Sequence, residues 1–111
     1  MSVPLYQAKA EFFRTLGHPA RIRILELLSE RDHAVHELLE QISIEPSNLS
    51  QQLAVLRRTS LVVVRREGGE VTYSISAPEV RDILLSARRI LVGLIHVDEE
   101  HDLAPPIKTA R

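Results

Sequence analysis

Near the start of the chain, apolar residues fall three and four apart: Leu5, Ala8, Phe12 and Leu16. That spacing places side chains on one face of an α-helix. Gly17-His18-Pro19 ends this series, and the proline suits the first turn of a second helix. The second helix carries Ile22, Leu25, Leu27 and Leu28. Asp32 stands where it can cap a short third helix, whose buried stripe is expected to be Val35, Leu38, Leu39 and Ile42. After a break from Ser43 to Pro46, Ser47 serves as N-cap or first-turn residue of a fourth helix. Its apolar positions are Leu49, Leu53 and Leu56, and it ends near Thr59-Ser60.

The period then changes. Leu61-Val62-Val63-Val64 is rich in β-branched residues, Arg65-Arg66-Glu67-Gly68-Gly69-Glu70 follows, and Val71-Thr72-Tyr73-Ser74-Ile75 alternates in polarity. Two strands around a Gly-Gly turn read as a β-hairpin. Pro78 opens a last helix with Val80, Ile83, Leu84, Ala87, Ile90, Leu91, Leu94 and Ile95 along one broad stripe. The expected fold is therefore mainly α with a small β-hairpin, in the order of four helices, two strands and a final helix. Residues 1–102 form one domain in this reading, and residues 103–111, with Pro105-Pro106, form a tail expected to be disordered.

Composition narrows the chemistry. At 111 residues and 44% hydrophobic, the chain is sized for one compact core. A helical protein this small gains by pairing with a second copy, and the wide stripe on the final helix calls for a partner. There is no cysteine, so disulfides, thiolate metal sites and a cysteine nucleophile are excluded. The opening Met-Ser-Val-Pro-Leu-Tyr-Gln has no basic segment followed by an apolar one. No apolar run reaches the roughly twenty residues that span a bilayer, and the expected location is the cytoplasm, away from membranes.

A net charge of −1 does not by itself suggest a nucleic-acid partner, since phosphate neutralisation supplies much of the affinity for DNA. Its distribution does. From Pro46 to Arg66 there are four arginines (Arg57, Arg58, Arg65, Arg66) and no acid, while Asp98, Glu99, Glu100 and Asp102 crowd toward the C-terminus. The fourth helix also gathers Ser47, Asn48, Ser50, Gln51 and Gln52 in its first half. Asn and Gln bond base edges in the major groove, and a recognition helix offers its N-terminal residues to the bases. The expectation is that these five residues read bases while the four arginines hold phosphates, with Arg65 and Arg66 on a wing whose Gly68-Gly69 tip lies along the backbone.

The stretches Leu16-Gly17-His18-Pro19-Ala20-Arg21-Ile22-Arg23-Ile24-Leu25, Ser47-Asn48-Leu49-Ser50-Gln51-Gln52-Leu53-Ala54-Val55-Leu56-Arg57, and Leu61-Val62 through Arg65-Arg66-Glu67-Gly68 to Tyr73-Ser74-Ile75 resemble the ArsR/SmtB family of bacterial regulators. The likeness covers roughly residues 5 to 95 and identifies the order of elements as a winged helix-turn-helix. It departs from the family pattern at Gln52, where histidine is often found. The resemblance implies a symmetric dimer joined through its first and last helices, bound to an inverted-repeat operator and usually repressing. An effector would shift the dimer between states that differ in affinity for DNA.

His96-Val97-Asp98-Glu99-Glu100-His101-Asp102 is the densest set of metal donors. Imidazole and carboxylate suit nickel, zinc or cobalt. His96, Glu99, Glu100 and His101 are the candidate ligands, and His96-x-x-Glu99 resembles half of an intersubunit site that some family members build on this helix. The other half, an Asp-x-His pair about a dozen residues earlier, is missing: Asp82 is followed by Ile83 and Leu84. His18 reads as a capping residue, and His33 with His36 as surface residues at a helix start. A regulator without metal control, governed by a partner protein or another effector, is the alternative. An enzyme is not expected, because no phosphate-binding glycine loop, nucleophile elbow or paired carboxylates occur.

Overall fold

The computed structural model of the chain describes residues 2–94. In chain order they form α1 (Leu5–Leu16), α2 (Pro19–Glu30), β1 (His33–Ala34), α3 (Val35–Gln41), α4 (Pro46–Arg58), β2 (Val62–Glu67), β3 (Glu70–Ile75) and α5 (Pro78–Leu94). The fold is mainly helical with a small antiparallel hairpin, as the periodicity predicts, and it holds one strand more. The expected tail of residues 103–111 lies outside the described residues.

Helix boundaries follow from local chemistry. The Gly17 N–H closes α1 by donating to the Arg14 carbonyl at 3.0 Å. His18 is extended and caps α2, its Nδ1 accepting from the Ala20 N–H at 3.2 Å. Pro19, at the first helical position, has no N–H to leave unpaired. The reading of His18 as a capping residue matches this geometry.

The additional strand changes how α3 begins. His33 pairs with Tyr73 and Ala34 with Thr72, which makes a three-stranded sheet in the order β1-β3-β2. A two-residue strand has no alternation to detect, so the hairpin alone was legible. The N-cap of α3 is consequently Ala34 rather than Asp32. Alanine offers no side-chain acceptor, and Glu37 supplies the cap from within the helix: its Oε1 accepts the Ala34 N–H at 2.8 Å. Asp32 is instead drawn to Arg65, at 3.1 Å.

At the other end of α4 the backbone makes a left-handed turn at Ser60, φ 64°. The Leu61 N–H donates to the Leu56 carbonyl at 2.9 Å and the Ser60 N–H to the Arg57 carbonyl at 3.0 Å, the paired bonds of a Schellman closure. Leu56 and Leu61 both sit in the core, so the chain leaves α4 directly into β2. The hairpin register then runs from Val62 opposite Ile75 to Glu67 opposite Glu70. Gly68 and Gly69 carry φ values of 57° and 81°, the pair of positive values that a two-residue type I′ turn requires.

Ile24, Leu25, Leu38, Leu49 and Leu56 are fully buried where α2, α3 and α4 meet, and each such side chain contributes about 2 kcal/mol by leaving water. Leu53, Ile42, Leu28, Leu27, Leu61 and Val62 extend the cluster, and Leu16 and Val80 join it from the first and last helices. The terminal helices contribute little to it. Val80 is the one buried residue of α5, and Leu85, Ile90, Leu91, Val92 and Leu94 are exposed. On α1, Leu5, Tyr6 and Phe13 are exposed as well. Both helices therefore show apolar surface that the rest of the described chain leaves uncovered.

The hydrogen bond from the Ala34 N–H, followed by that from the Arg31 guanidinium, holds the Glu37 carboxyl below its usual range. A folded-state pKa below the unfolded one stabilises the protein above the ordinary carboxylate range, and this contribution is lost as pH falls through the lowered value. Glu37→Gln keeps an acceptor for the cap but not the charge. The variant is expected to melt below the parent at neutral pH, with the gap closing as pH falls through the lowered value; thermal melts from neutral into acid check this, and a pH-independent gap would contradict it.

Candidate nucleic-acid interface

Burial of Leu49, Leu53 and Leu56 fixes the orientation of α4. The opposite face then follows from helical geometry. Ser47, Ser50, Gln51, Ala54, Arg57 and Arg58 are exposed and are spaced by three and four along one side. Ser47 falls in the first turn, after Pro46 at the first position, and no side chain caps this end. Small polar groups and an amide lead the exposed face, and two guanidiniums close it, where cations also favour the helix dipole.

Asn48 and Gln52 lie to one side of that stripe. Asn48 is half-buried. Gln52 is only 8% exposed, and both ends of its amide are used inside the protein: Oε1 accepts from Arg21 Nε at 2.9 Å and Nε2 donates to Asn48 Oδ1 at 2.9 Å. The expectation that Gln52 faces bases is corrected by this position. It holds the Asn48 side chain beside the exposed face rather than standing on that face itself.

The two wing arginines point to opposite sides of β2, as successive residues of a strand do. Arg65, although exposed, bonds Asp32 Oδ2 at 3.1 Å, Glu67 Oε2 at 3.5 Å and the Ser74 hydroxyl at 3.3 Å. The Asp32 contact arises because the chain between α2 and β1 brings Asp32 beside β2. Arg66 is exposed, and among the described residues it makes no ion pair, nor do Arg57 and Arg58. At the wing tip His36 Nε2 lies 3.1 Å from Glu70 Oε2. Arg65–Asp32 and His36–Glu70 together tie the ribbon to the body. Exposed pairs of this kind are worth about 0–1 kcal/mol each, so they orient the wing more than they stabilise the fold.

The histidines do not converge. His33 lies in β1, 3% exposed, with Nδ1 donating to the Arg31 carbonyl at 2.9 Å, while His36 lies on α3 and faces Glu70. The expectation that both are surface residues at a helix start therefore holds for His36 alone, since pairing with Tyr73 draws His33 into the sheet. Among the described residues no three His, Asp or Glu side chains gather where they could hold a metal ion. The candidate ligands His96, Glu99, Glu100 and His101 lie outside the described residues. No helix among the described residues is long and apolar enough to cross a membrane.

A support helix, a recognition helix with a polar outer face and a β-ribbon wing define a winged helix-turn-helix DNA-binding protein. Comparison with known proteins gives the family. The family model described as bacterial regulatory protein, arsR family, matches residues 18–63. The transcriptional regulator Rv0081 of Mycobacterium tuberculosis is 57% identical over 95 residues, which cover 85% of this chain and 83% of that protein. Its crystal structure superposes with a TM-score of 0.77 over 84% of this chain and 94% of that one. A transcriptional repressor SmtB homolog of Synechocystis is 35% identical over 83 residues, 75% of this chain and 63% of that protein. The homodimeric winged helix-turn-helix domain Mb0332 of Mycobacterium bovis, 24% identical, shares the fold with a TM-score of 0.73 over 88% of this chain and 97% of that domain. The chain belongs to the ArsR/SmtB family of transcriptional regulators and is not an enzyme.

Arg65→Ala removes the side chain that ties the wing to Asp32. Because the pair is exposed, stability is expected to fall by no more than about 1 kcal/mol, while amide hydrogen exchange rises across residues 66–71. Exchange mass spectrometry checks this, and unchanged rates in the ribbon would show that Arg65 does not anchor it.

Proposed function

We propose that the chain acts as a homodimeric repressor that binds an inverted-repeat operator, with α4 of each subunit in a major groove. The observation that carries this reading is the outer face of α4, where Ser47, Ser50 and Gln51 precede Arg57 and Arg58 in a segment with no acidic residue from Pro46 to Arg66. Ser47, Asn48, Ser50 and Gln51 read base edges. Arg57, Arg58 and the outward Arg66 hold phosphates and set the register. Arg65 contributes through the position of the wing, and Gln52 through the position of Asn48.

The dimer is supported by the exposed apolar residues of both terminal helices, Leu5, Tyr6 and Phe13 on α1 and Ile90, Leu91 and Leu94 on α5. Pairing these faces across a two-fold axis removes them from water and supplies two reading helices for the two half-sites of a palindrome. Control by a divalent metal such as nickel or zinc is a second reading. It is favoured by the nitrogen and oxygen donors of His96, Glu99, Glu100 and His101.

The test is fluorescence anisotropy of the DNA upstream of the gene, titrated with chelator-treated protein and repeated with nickel, zinc and cobalt. Gln51→Ala is expected to cost about 1–3 kcal/mol on the operator and little on random DNA. Arg66→Ala should weaken all DNA alike and reduce the salt slope by about one. Equal losses on both DNAs for both variants would overturn the assignment of roles. A change in affinity with one metal, abolished by His96→Ala, would support metal control; no change with any metal would remove it.

A further inference from the structure

The hydrogen bonds that pass from α2 into α4 have a direction. Arg21 is held at one end, its Nη1 donating to the Thr15 carbonyl at 3.0 Å, and its Nε donates to Gln52 Oε1 at 2.9 Å. A guanidinium carries donors only. Gln52 must therefore turn its oxygen to Arg21, and its amide nitrogen points the other way, where it needs an acceptor. On Asn48 the acceptor is Oδ1, at 2.9 Å. The arrangement cannot be flipped, because reversing either amide would set donor against donor.

We propose that the Arg21–Gln52 pair determines base preference by fixing the carboxamide of Asn48. With Oδ1 turned toward Gln52, Asn48 offers its Nδ2 donor, which has no partner among the described residues. A free asparagine presents donor and acceptor together and suits adenine, whose N6 and N7 need both. An asparagine held this way selects an edge rich in acceptors, guanine O6 and N7 or thymine O4, and disfavours the amino group of cytosine. Gln52 and Arg21 are positioning residues here and touch no base. The anchor at Thr15 also places the origin of the relay at the end of α1, so the set of Asn48 follows the helix that precedes it. This inference rests on the reading of α4 as the helix that enters the major groove.

Binding is measured to a series of operators carrying all four bases at each half-site position, for the full-length protein and three variants. The parent is expected to prefer guanine or thymine over cytosine by about tenfold at one position. Asn48→Asp keeps an acceptor for Gln52 and turns a second one outward, so the preference at that position should reverse toward cytosine, on top of a uniform loss from the added charge. Gln52→Leu removes the relay while filling its space, and should flatten the preference at that position. Gln51→Ala is the control for the underlying reading, expected to relax a different position. If Gln51→Ala relaxes its position while Asn48→Asp and Gln52→Leu keep the parent profile, the relay is overturned and the recognition helix stands. If none of the three alters any base preference, the assignment of α4 itself fails and the relay with it. Asn48 is half-exposed, so Asn48→Asp remains informative even where Gln52→Leu does not fold.

Discussion

Three leucines of one helix have to be out of water, and most of the functional geometry descends from that requirement. Leu49, Leu53 and Leu56 enter the core formed with Ile24, Leu25 and Leu38, which leaves α4 no freedom to rotate about its axis. Whatever stands at the remaining positions is thereby presented outward: serines and an amide first, guanidiniums last. The same burial places Leu61 beneath the helix end, so that the Schellman turn at Ser60 sends the chain straight into the ribbon. Recognition helix and wing are thus held in one relative geometry by a hydrophobic cluster that neither of them displays.

Polar interactions refine this frame without supporting it. Arg65–Asp32 and His36–Glu70 are exposed pairs and steer a ribbon whose attachment is already decided by strand pairing. The Arg21–Gln52–Asn48 series differs because its middle member is buried, where an unsatisfied amide would cost about 1–3 kcal/mol. Satisfying both ends of that amide leaves one arrangement, and the consequence is felt at the surface, in which atom Asn48 shows. A family position where histidine is common thus serves here as an internal strut.

Terminal helices with exposed apolar faces complete the physical picture. α1 and α5 spend few of their large side chains on the core, and a single chain of this size has little other surface on which to place them. The described residues thus divide into α4 and the ribbon, whose outer faces are polar and cationic, and α1 and α5, whose outer faces are apolar.

The helical stripes, the Gly68-Gly69 hairpin, the basic segment and the polar start of α4 were all legible in the sequence, because periods of 3.6 and 2 and the dihedral needs of a turn are properties of the local chain. The capping role of His18 was legible for the same reason. β1 was not, since two residues carry no period. Nor were the burial of Gln52 and the partners of Arg65. Those depend on Arg21 and Asp32, which are distant in the chain and arrive beside them only once the helices pack. Sequence by itself determined which elements form and which face of each is apolar. Tertiary structure alone decided which polar residue is spent inside the protein and which is left exposed, because hydrogen-bond partners are assigned by packing across the fold and not by spacing along it.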